Sequence, residues 1–98
     1  MEDEFASVVE RTLVLHDCET GQRSEIRLSI GRPYWVDPGM EAACPVAVYG
    51  SFGRLADIRG IDPMNALALA IQFLESLLKG MSETRTVYWP SGEKYFDE

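Results

Sequence analysis

The chain has 98 residues, of which 46% are hydrophobic and 10% aromatic, and it carries a formal net charge of −7 at pH 7. This length and composition predict a single globular domain over residues 1–98, with a hydrophobic core but little stability to spare. The negative charge argues against nucleic-acid partners and against an anionic membrane surface, because attraction to phosphate needs a basic patch. The longest apolar run, residues 66–71, is far too short to cross a bilayer.

Acidic residues are concentrated at both ends of the chain. The first four residues are Met-Glu-Asp-Glu, whereas a secretory signal begins with basic residues, so we expect a cytoplasmic protein. We also expect both acidic ends, residues 1–6 and 94–98, to be frayed and solvated.

Alternation of apolar and polar residues predicts the first two strands. They span Val8–His16 and Arg23–Ile30, and the segment between them contains Asp17 and Gly21, which have the chemistry of a hairpin turn. The second strand alternates most regularly, and its predicted inward residues are Ile26, Leu28 and Ile30. The two segments are therefore expected to form an antiparallel hairpin.

Prolines and glycines punctuate the middle of the chain. Residues 31–41 contain two of each, so we expect an irregular loop there. A third strand is predicted over Ala43–Tyr49, then a turn over residues 50–53, then a fourth strand over Arg54–Arg59. Short connections favour antiparallel pairing of consecutive strands.

The most strongly predicted element is a helix from Asp62 to Lys79. Asp62 followed by Pro63 is typical of a helix start, and Gly80 is typical of a stop. At 100° per residue, apolar residues cover about 220° of the surface of this helix. One sheet face covers a narrower arc, so the helix is expected to lie deep in the fold or to share a flank with a second copy of the chain. Leu69 lies nearest the polar stripe and is the predicted contact to that copy.

A last strand is predicted over Thr86–Trp89 and is ended by Pro90. The elements together predict an α+β fold in the order β-β-β-β-α-β. This fold is an antiparallel sheet of four to five strands with one long helix packed on one face.

No group of residues has the spacing of a catalytic, cofactor or metal site. Residues 16–19 include three metal-ligand types, but consecutive strand residues point to opposite faces and do not converge on zinc. Residues 50–53 lack the spacing of a nucleophile elbow and the ending of a phosphate loop. Cys18 and Cys44 have no Cys-x-x-Cys spacing and are expected to be free thiols. We therefore predict no catalytic residue, no metal and no cofactor.

The better functional candidate is the loop that carries Arg32, Tyr34 and Trp35. Large aromatics beside an arginine are typical of protein-interface anchors. Together with Leu69 they are the predicted interaction residues of a non-catalytic module that forms a homodimer and is suited to a protein partner. Trp35 fits an interface and a core position equally well, whereas the strand position of Trp89 favours the core.

The alternative is a small-molecule-binding or enzymatic domain with a pocket between the helix and a curved sheet. Tyr34, Trp35, Tyr49 and Phe52 are its predicted lining, and Arg54 is its predicted anion anchor. A deep enclosed pocket with convergent polar groups would favour this alternative, whereas an open apolar patch would favour association.

Several short motifs resemble those of a family of small uncharacterised bacterial proteins of about this length. The clearest is the helix start Gly-x-Asp-Pro-x-x-Ala-Leu over residues 60–67, and the second is the closing Trp-x-x-Gly-Glu over residues 89–93. The resemblance implies a bacterial source and a single domain of unknown function. Its motifs serve packing and capping, so it implies no activity and no catalytic residue.

Overall fold

A computed structural model describes residues 5–96 of the chain. The elements in chain order are β1 (Ser7–Asp17), β2 (Arg23–Gly31), β3 (Tyr34–Asp37), β4 (Glu41–Cys44), β5 (Val46–Tyr49), β6 (Gly53–Arg54), β7 (Ile58–Gly60), α1 (Pro63–Met81) and β8 (Arg85–Tyr88). They form a five-stranded sheet in the order β6-β5-β2-β1-β8 and a three-stranded sheet in the order β3-β4-β7. The strand pairs are antiparallel, and the predicted α+β fold class is confirmed.

The β1–β2 hairpin forms as predicted, with each strand one residue longer at one or both ends. The Asp17 N–H donates to the Gln22 carbonyl at 2.9 Å, and the Asp17 carboxylate accepts from the Glu19 N–H at 2.9 Å. Gly21 has a φ of 76°, a left-handed conformation that glycine adopts without a steric penalty. This turn fixes the register in which Leu13 lies opposite Ile26.

The helix packs against β4, β7 and β8 through one narrow stripe. Its fully buried residues are spaced by four: Ala66, Ala70, Leu74 and Leu78. The Asp62 carboxylate accepts from the Asn65 N–H at 2.7 Å, which confirms the predicted helix start. The sheet residues that complete the core are Leu13, Leu15, Ile26, Leu28, Ile30, Ala42, Cys44, Val46, Val48 and Val87. No helix among residues 5–96 is long and apolar enough to cross a membrane.

Three predictions for the middle of the chain are wrong, because the structure has a second, three-stranded sheet there. Residues 31–41 are not wholly irregular, because they contain β3. The predicted strand Ala43–Tyr49 is interrupted at Pro45, and its two parts, β4 and β5, belong to different sheets. Proline lacks the N–H that a continuous ladder needs, so the chain changes sheet there. The predicted strand Arg54–Arg59 is divided in the same way into β6 and β7.

Gly80 does not end the helix, which continues to Met81. The end is made by Ser82, whose N–H donates to the Leu78 carbonyl at 2.9 Å and whose hydroxyl donates to the Lys79 carbonyl at 2.6 Å. A serine that satisfies the last carbonyls replaces the left-handed glycine cap that the sequence suggests.

The described residues nearest the chain ends contact the rest of the fold. The Phe5 ring lies 6.4 Å from the Tyr49 ring, and the Tyr95 N–H donates to the Val87 carbonyl at 2.9 Å. These contacts concern only part of the segments expected to fray, because residues 1–4 and 97–98 lie outside the described residues.

Candidate functional site

A groove of about 180 Å³ opens between the helix and the first two strands. We call it the α1–β1 groove. It is lined by Val9, Glu10, Arg11, Leu28, Ile30, Ile71, Leu74 and Glu75. Most of this lining is aliphatic, and the charged residues come from only two places, one on β1 and one on α1. The groove is therefore an apolar channel with a charged rim.

One flank of the helix leaves apolar side chains exposed beside this groove. Ile71 is 47% exposed and Met64 is 80% exposed. They are seven residues apart and so lie within about 20° of each other around the helix axis at 100° per residue. Leu69, which is 36% exposed, is about 160° from Ile71 by the same geometry. The predicted contact residue Leu69 therefore lies on the other flank, away from the groove.

Within residues 5–96, the edge of β1 next to the groove has no partner strand from Ser7 to Leu13. β8 pairs with β1 over Val14–Asp17, whereas β2 pairs with β1 from Ser7 to His16. Among residues 5–96, no strand pairs with the β8 side of β1 before Val14. The Asp17 N–H points toward β2, and backbone groups alternate sides along a strand. The N–H and C=O groups of Glu10 and Thr12 therefore face the open edge.

A hydrogen-bonded cluster closes one end of the groove. Arg11 Nη1 donates to the Tyr95 hydroxyl at 2.6 Å and to Glu75 Oε2 at 3.3 Å, and the Tyr95 hydroxyl donates to the same carboxylate oxygen at 2.8 Å. The guanidinium also lies 5.2 Å from the centre of the Trp89 ring. Burial and the hydrogen bond to Glu75 raise the pKa of Tyr95, so its hydroxyl remains a donor at neutral pH. Trp89 packs partly buried against the core.

A second polar cluster joins the edge of the three-stranded sheet to the segment after β6. The Tyr34 hydroxyl donates to Asp57 Oδ2 at 2.5 Å, and Arg54 Nη2 donates to Asp57 Oδ1 at 3.0 Å. Burial alone would raise the pKa of Asp57, but these two hydrogen bonds and the charges of Arg54 and Arg59 lower it below its usual 3.8. The same hydrogen bond raises the pKa of Tyr34. Asp57 therefore stays ionised and Tyr34 stays protonated around neutral pH, so the hydrogen bond between them is kept.

We expect Tyr34→Phe to raise the pKa of Asp57. We also expect it to lower the free energy of unfolding at pH 7 by about 1 kcal/mol, which is the usual net contribution of one hydrogen bond to stability. Because the folded pKa of Asp57 lies below its unfolded value, its contribution is present above the unfolded pKa and is lost as the pH falls through the folded pKa. The destabilisation should therefore shrink in acid. Carbon-13 NMR titration of the carboxyl groups and denaturant unfolding at several pH values measure both effects.

Tyr49→Phe is the matched control for this variant. The Tyr49 hydroxyl is buried and has no hydrogen-bond partner within the described residues. Its removal should therefore be neutral or stabilising. An unchanged Asp57 pKa in Tyr34→Phe would contradict the network.

The predicted interaction residues are only partly brought together. Tyr34 and Trp35 lie on β3, the edge strand of the small sheet, and Trp35 is 43% exposed. Arg32 is exposed just before that strand, and Leu69 lies apart on the helix. Tyr34 and Arg54, which are both predicted for the alternative pocket, instead donate to the same carboxylate, that of Asp57.

The residues predicted for the alternative pocket do not line the groove. Arg27 lies 4.8 Å from the centre of the Tyr49 ring, and Arg54 lies 4.8 Å from the centre of the Phe5 ring. This stacked row lies on the sheet face opposite the helix, because Tyr49 alternates with the core residues Val46 and Val48 along β5, and Arg54 lies opposite Ala47, which shares the face of Tyr49. Phe52 is exposed in the turn between β5 and β6.

The two cysteines differ in environment. Cys18 is exposed and its sulfur lies 3.6 Å from the Thr86 hydroxyl, whereas Cys44 is buried. Burial, with a smaller contribution from the charge of Asp57, raises the pKa of the Cys44 thiol to about 11. Cys44 is therefore a small apolar core residue rather than a nucleophile. Within residues 5–96, no group of three or more His, Cys, Asp or Glu side chains is placed to hold a metal ion.

Two features of the sequence indicate the groove, one on β1 and one on the helix. Val8 and Val9 are adjacent apolar residues near the start of β1, and the register of β1 against β2 shifts between Ser7 and Val9. Such a bulge redirects side chains at a strand end. On the helix, the seven-residue spacing of Met64 and Ile71 marks a second apolar flank.

Comparison of the chain with protein-family models, with curated proteins and with solved structures finds no match in any of the three. The resemblance to a bacterial family of unknown function stays a prediction.

Proposed function

We propose that this protein is a non-catalytic interaction module that self-associates into a homodimer through the α1–β1 groove. The observation that carries the proposal is the exposure of two aliphatic residues in one apolar channel. Val9 is 52% exposed and Ile71 is 47% exposed, and both line the groove. Exposed aliphatic side chains that share a channel favour burial by a partner surface.

The exposed apolar residues of the helix also favour self-association. Its buried stripe is narrow, and apolar residues on both sides of that stripe remain accessible. Of the two explanations that the wide apolar arc allows, burial within one chain accounts for Leu74 and Leu78 but not for Met64 and Ile71. A second copy would cover these residues, and homodimers with two-fold symmetry are the commonest assemblies of soluble proteins.

The polar groups at the rim favour binding over catalysis. Arg11, Glu75 and Tyr95 satisfy one another by direct hydrogen bonds. A general acid or base needs a perturbed group aimed at a reacting atom, whereas these three groups are aimed at each other. Their arrangement is that of a polar rim around an apolar centre, as in protein interfaces.

The small-molecule alternative has one observation in its favour, which is that the groove lies between helix and sheet. Its volume of about 180 Å³ is below the roughly 300–1,000 Å³ typical of ligand pockets. Its lining also differs from the predicted Tyr49, Phe52 and Arg54. We therefore favour association, and a tightly bound small molecule in the purified monomer would support the alternative instead.

Sedimentation velocity at micromolar to hundred-micromolar concentrations tests the proposal. We expect a dimer for the unmodified chain, and we expect Ile71→Lys to weaken association by at least about tenfold, since a desolvated unpaired charge costs well over 1.4 kcal/mol. The far-ultraviolet circular dichroism spectrum should be unchanged, because Ile71 is half exposed in the monomer.

Leu69→Lys is the matched variant on the opposite flank. The sequence alone predicts that Leu69 contacts the second copy, whereas the position of the groove predicts that Ile71 does. If only Leu69→Lys weakens the dimer, the interface lies on the other flank and the groove assignment fails. A monomer at every concentration would overturn self-association itself.

A further inference from the structure

We infer that Trp35 anchors the homodimer by inserting into the α1–β1 groove of the second copy, so that each copy supplies one tryptophan and receives the other. This inference rests on the proposed self-association. It adds to that proposal the residue that fills the groove and the symmetry that brings it there.

Trp35 lies on the same side of the small sheet as the helix. Its partner on β4 is Ala42, and Ala42 in turn pairs with Gly60 on β7. The register of β3 against β4 shifts only after the Trp35–Ala42 pair. Residues directly opposite each other in a sheet point to the same face, and Ala42 belongs to the core under the helix. The half-exposed indole of Trp35 therefore points to the helix side.

The strand β7 lies under one flank of the first helical turn. A Cβ on Gly60 would lie 2.6 Å from Asn65 Oδ1 and 2.7 Å from the Ala66 nitrogen. β4 separates β7 from β3, and Ala42 of β4 lies in the core with Ala66. β3 therefore lies beyond β4, and Trp35 borders the flank of the helix opposite to Asn65.

That flank is the one that carries Ile71. At 100° per residue, Asn65 and Leu67 lie about 100° to either side of Ala66, and Ile71 lies about 40° from Leu67. Leu67 packs partly buried against the core, and Ile71 lines the groove. The two are about 6 Å apart along the helix axis. Trp35 and the groove therefore lie along the same flank of the helix.

The groove by itself is too small to hold a dimer together. A stable interface buries about 800 Å² of each partner and involves roughly 20–30 residues a side. The groove has eight lining residues, and the hydrogen-bonded cluster of Arg11, Glu75 and Tyr95 closes one of its ends. The contact therefore extends from the other end of the groove, along the helix flank toward Trp35.

Two-fold symmetry makes the tryptophan and the groove complementary. With the axis on the helix flank between Leu67 and Ile71, Trp35 of each copy faces the groove of the other, and the contact closes at two copies. Tryptophan is among the residues most often found as an interface anchor, and such anchors fill apolar pockets. One large side chain also suits a groove that is smaller than a ligand pocket.

The groove can receive an indole without burying an unpaired charge. Its two carboxylates are each paired with an arginine, Glu10 with Arg27 at 3.7 Å and Glu75 with Arg11 at 3.3 Å. The chain carries a formal net charge of −7, so two copies repel each other over most of their surface. A contact made by apolar side chains and paired charges is therefore the one that two acidic copies form at the least electrostatic cost.

Truncation of the anchor tests the inference. In sedimentation velocity, we expect Trp35→Ala to raise the dimer dissociation constant at least about tenfold, as for other interface anchors. The far-ultraviolet circular dichroism spectrum checks that the variant folds. Phe52→Ala is the matched control, because Phe52 is a similarly exposed aromatic residue in the turn at the far end of β5. Its dissociation constant should be unchanged.

A double-mutant cycle tests whether the tryptophan enters the groove. Trp35→Ala and Ile71→Ala are measured singly and together. If Trp35 of one copy contacts Ile71 of the other, the second truncation costs less once the first is made. We expect the combined loss of affinity to be at least about threefold smaller than the product of the two single losses.

Tryptophan fluorescence follows the same insertion in solution. The chain has two tryptophans, so Trp89→Phe leaves Trp35 as the only one. We expect its emission to shift to shorter wavelength as the concentration is raised through the dimer transition, because the indole moves from water into an apolar groove. In Trp89→Phe combined with Ile71→Lys, the emission should not shift. If Trp89→Phe does not fold, sedimentation and the cycle decide.

The outcomes separate this inference from the proposed self-association. A dimer whose dissociation constant is unchanged by Trp35→Ala would overturn the anchor and leave self-association standing. Single losses that simply multiply in the double variant would overturn the insertion into the groove. A monomer at every concentration would overturn both the anchor and the dimer.

Discussion

We expect Leu74→Ala to lower the free energy of unfolding by roughly 2–5 kcal/mol, the range for deleting a buried large side chain. Leu74 is 3% exposed and lies in the middle of the buried stripe of the helix. It also forms part of the groove floor beside Leu28 and Ile30. The truncation removes apolar contacts on both the helix and the sheet side, and the alanine leaves a void that the surrounding strands close only in part.

Met64→Ala is the matched control, because Met64 is 80% exposed on the same helix. Its effect on the stability of the single chain should stay within about 0.5 kcal/mol, as at other exposed sites. Chemical denaturation of both variants at two protein concentrations separates monomer stability from dimer dissociation. A loss below about 0.5 kcal/mol for Leu74→Ala would contradict the buried stripe.

Local signals were sufficient for the hairpin and for the helix start. The turn at Asp17 and Gly21 fixes its own geometry, and Asp62 followed by Pro63 caps the helix with groups that are adjacent in the chain. Both features depend on residues within a few positions of each other. Such features can be read from sequence because tertiary context adds little to them.

The division into two sheets was not readable from sequence. The run from Ala42 to Val48 is buried throughout, so it contains no alternation that would reveal a break. Pro45 was the one signal, and it fits the beginning of a strand as well as a break within it. The packing of β4 under the helix and the pairing of β5 with β2 show that Pro45 marks a break between two strands and not the beginning of one strand.

The candidate site depends on contacts between distant residues. Leu69 and Ile71 have the same chemistry, and only the position of β1 and β2 determines which flank borders a groove. Tyr34 and Asp57 are 23 positions apart, and they meet because β3 and β7 flank the same strand. A pattern of residue types therefore predicts that an apolar surface exists, but the tertiary fold decides where it opens.

The Phe5–Tyr49 and Arg11–Tyr95 contacts show how the small core is extended at its two ends. Phe5 lies against the face of the sheet opposite the helix, and Tyr95 lies at the end of the groove. A domain of this length buries a modest fraction of its surface, so aromatic residues near the ends add area that the strands alone do not supply.

We expect Gly60→Ala to destabilise the fold by about 1–3 kcal/mol or more, the cost of inserting a methyl group where packing is complete. A Cβ at this position would lie 2.6 Å from Asn65 Oδ1 and 2.7 Å from the Ala66 backbone nitrogen. The Asn65 side-chain oxygen Oδ1 cannot yield freely, because it accepts the Ile61 N–H at 2.9 Å. β7 must therefore move away from the first turn of the helix.

Gly80→Ala is the opposite case, because Gly80 lies within the helix itself. Apart from its chain neighbours and the backbone of its own helix, no described atom lies within 4 Å of a Cβ built there, and its backbone is not in the left-handed region. Alanine at a helical glycine is typically stabilising by about 0.5–1 kcal/mol, since it restricts the unfolded chain. Thermal unfolding of the two variants should therefore move the midpoint in opposite directions. Equal stability of Gly60→Ala and the unmodified chain would contradict the close approach of β7 to α1, and with it the placement of the helix that leaves the groove open.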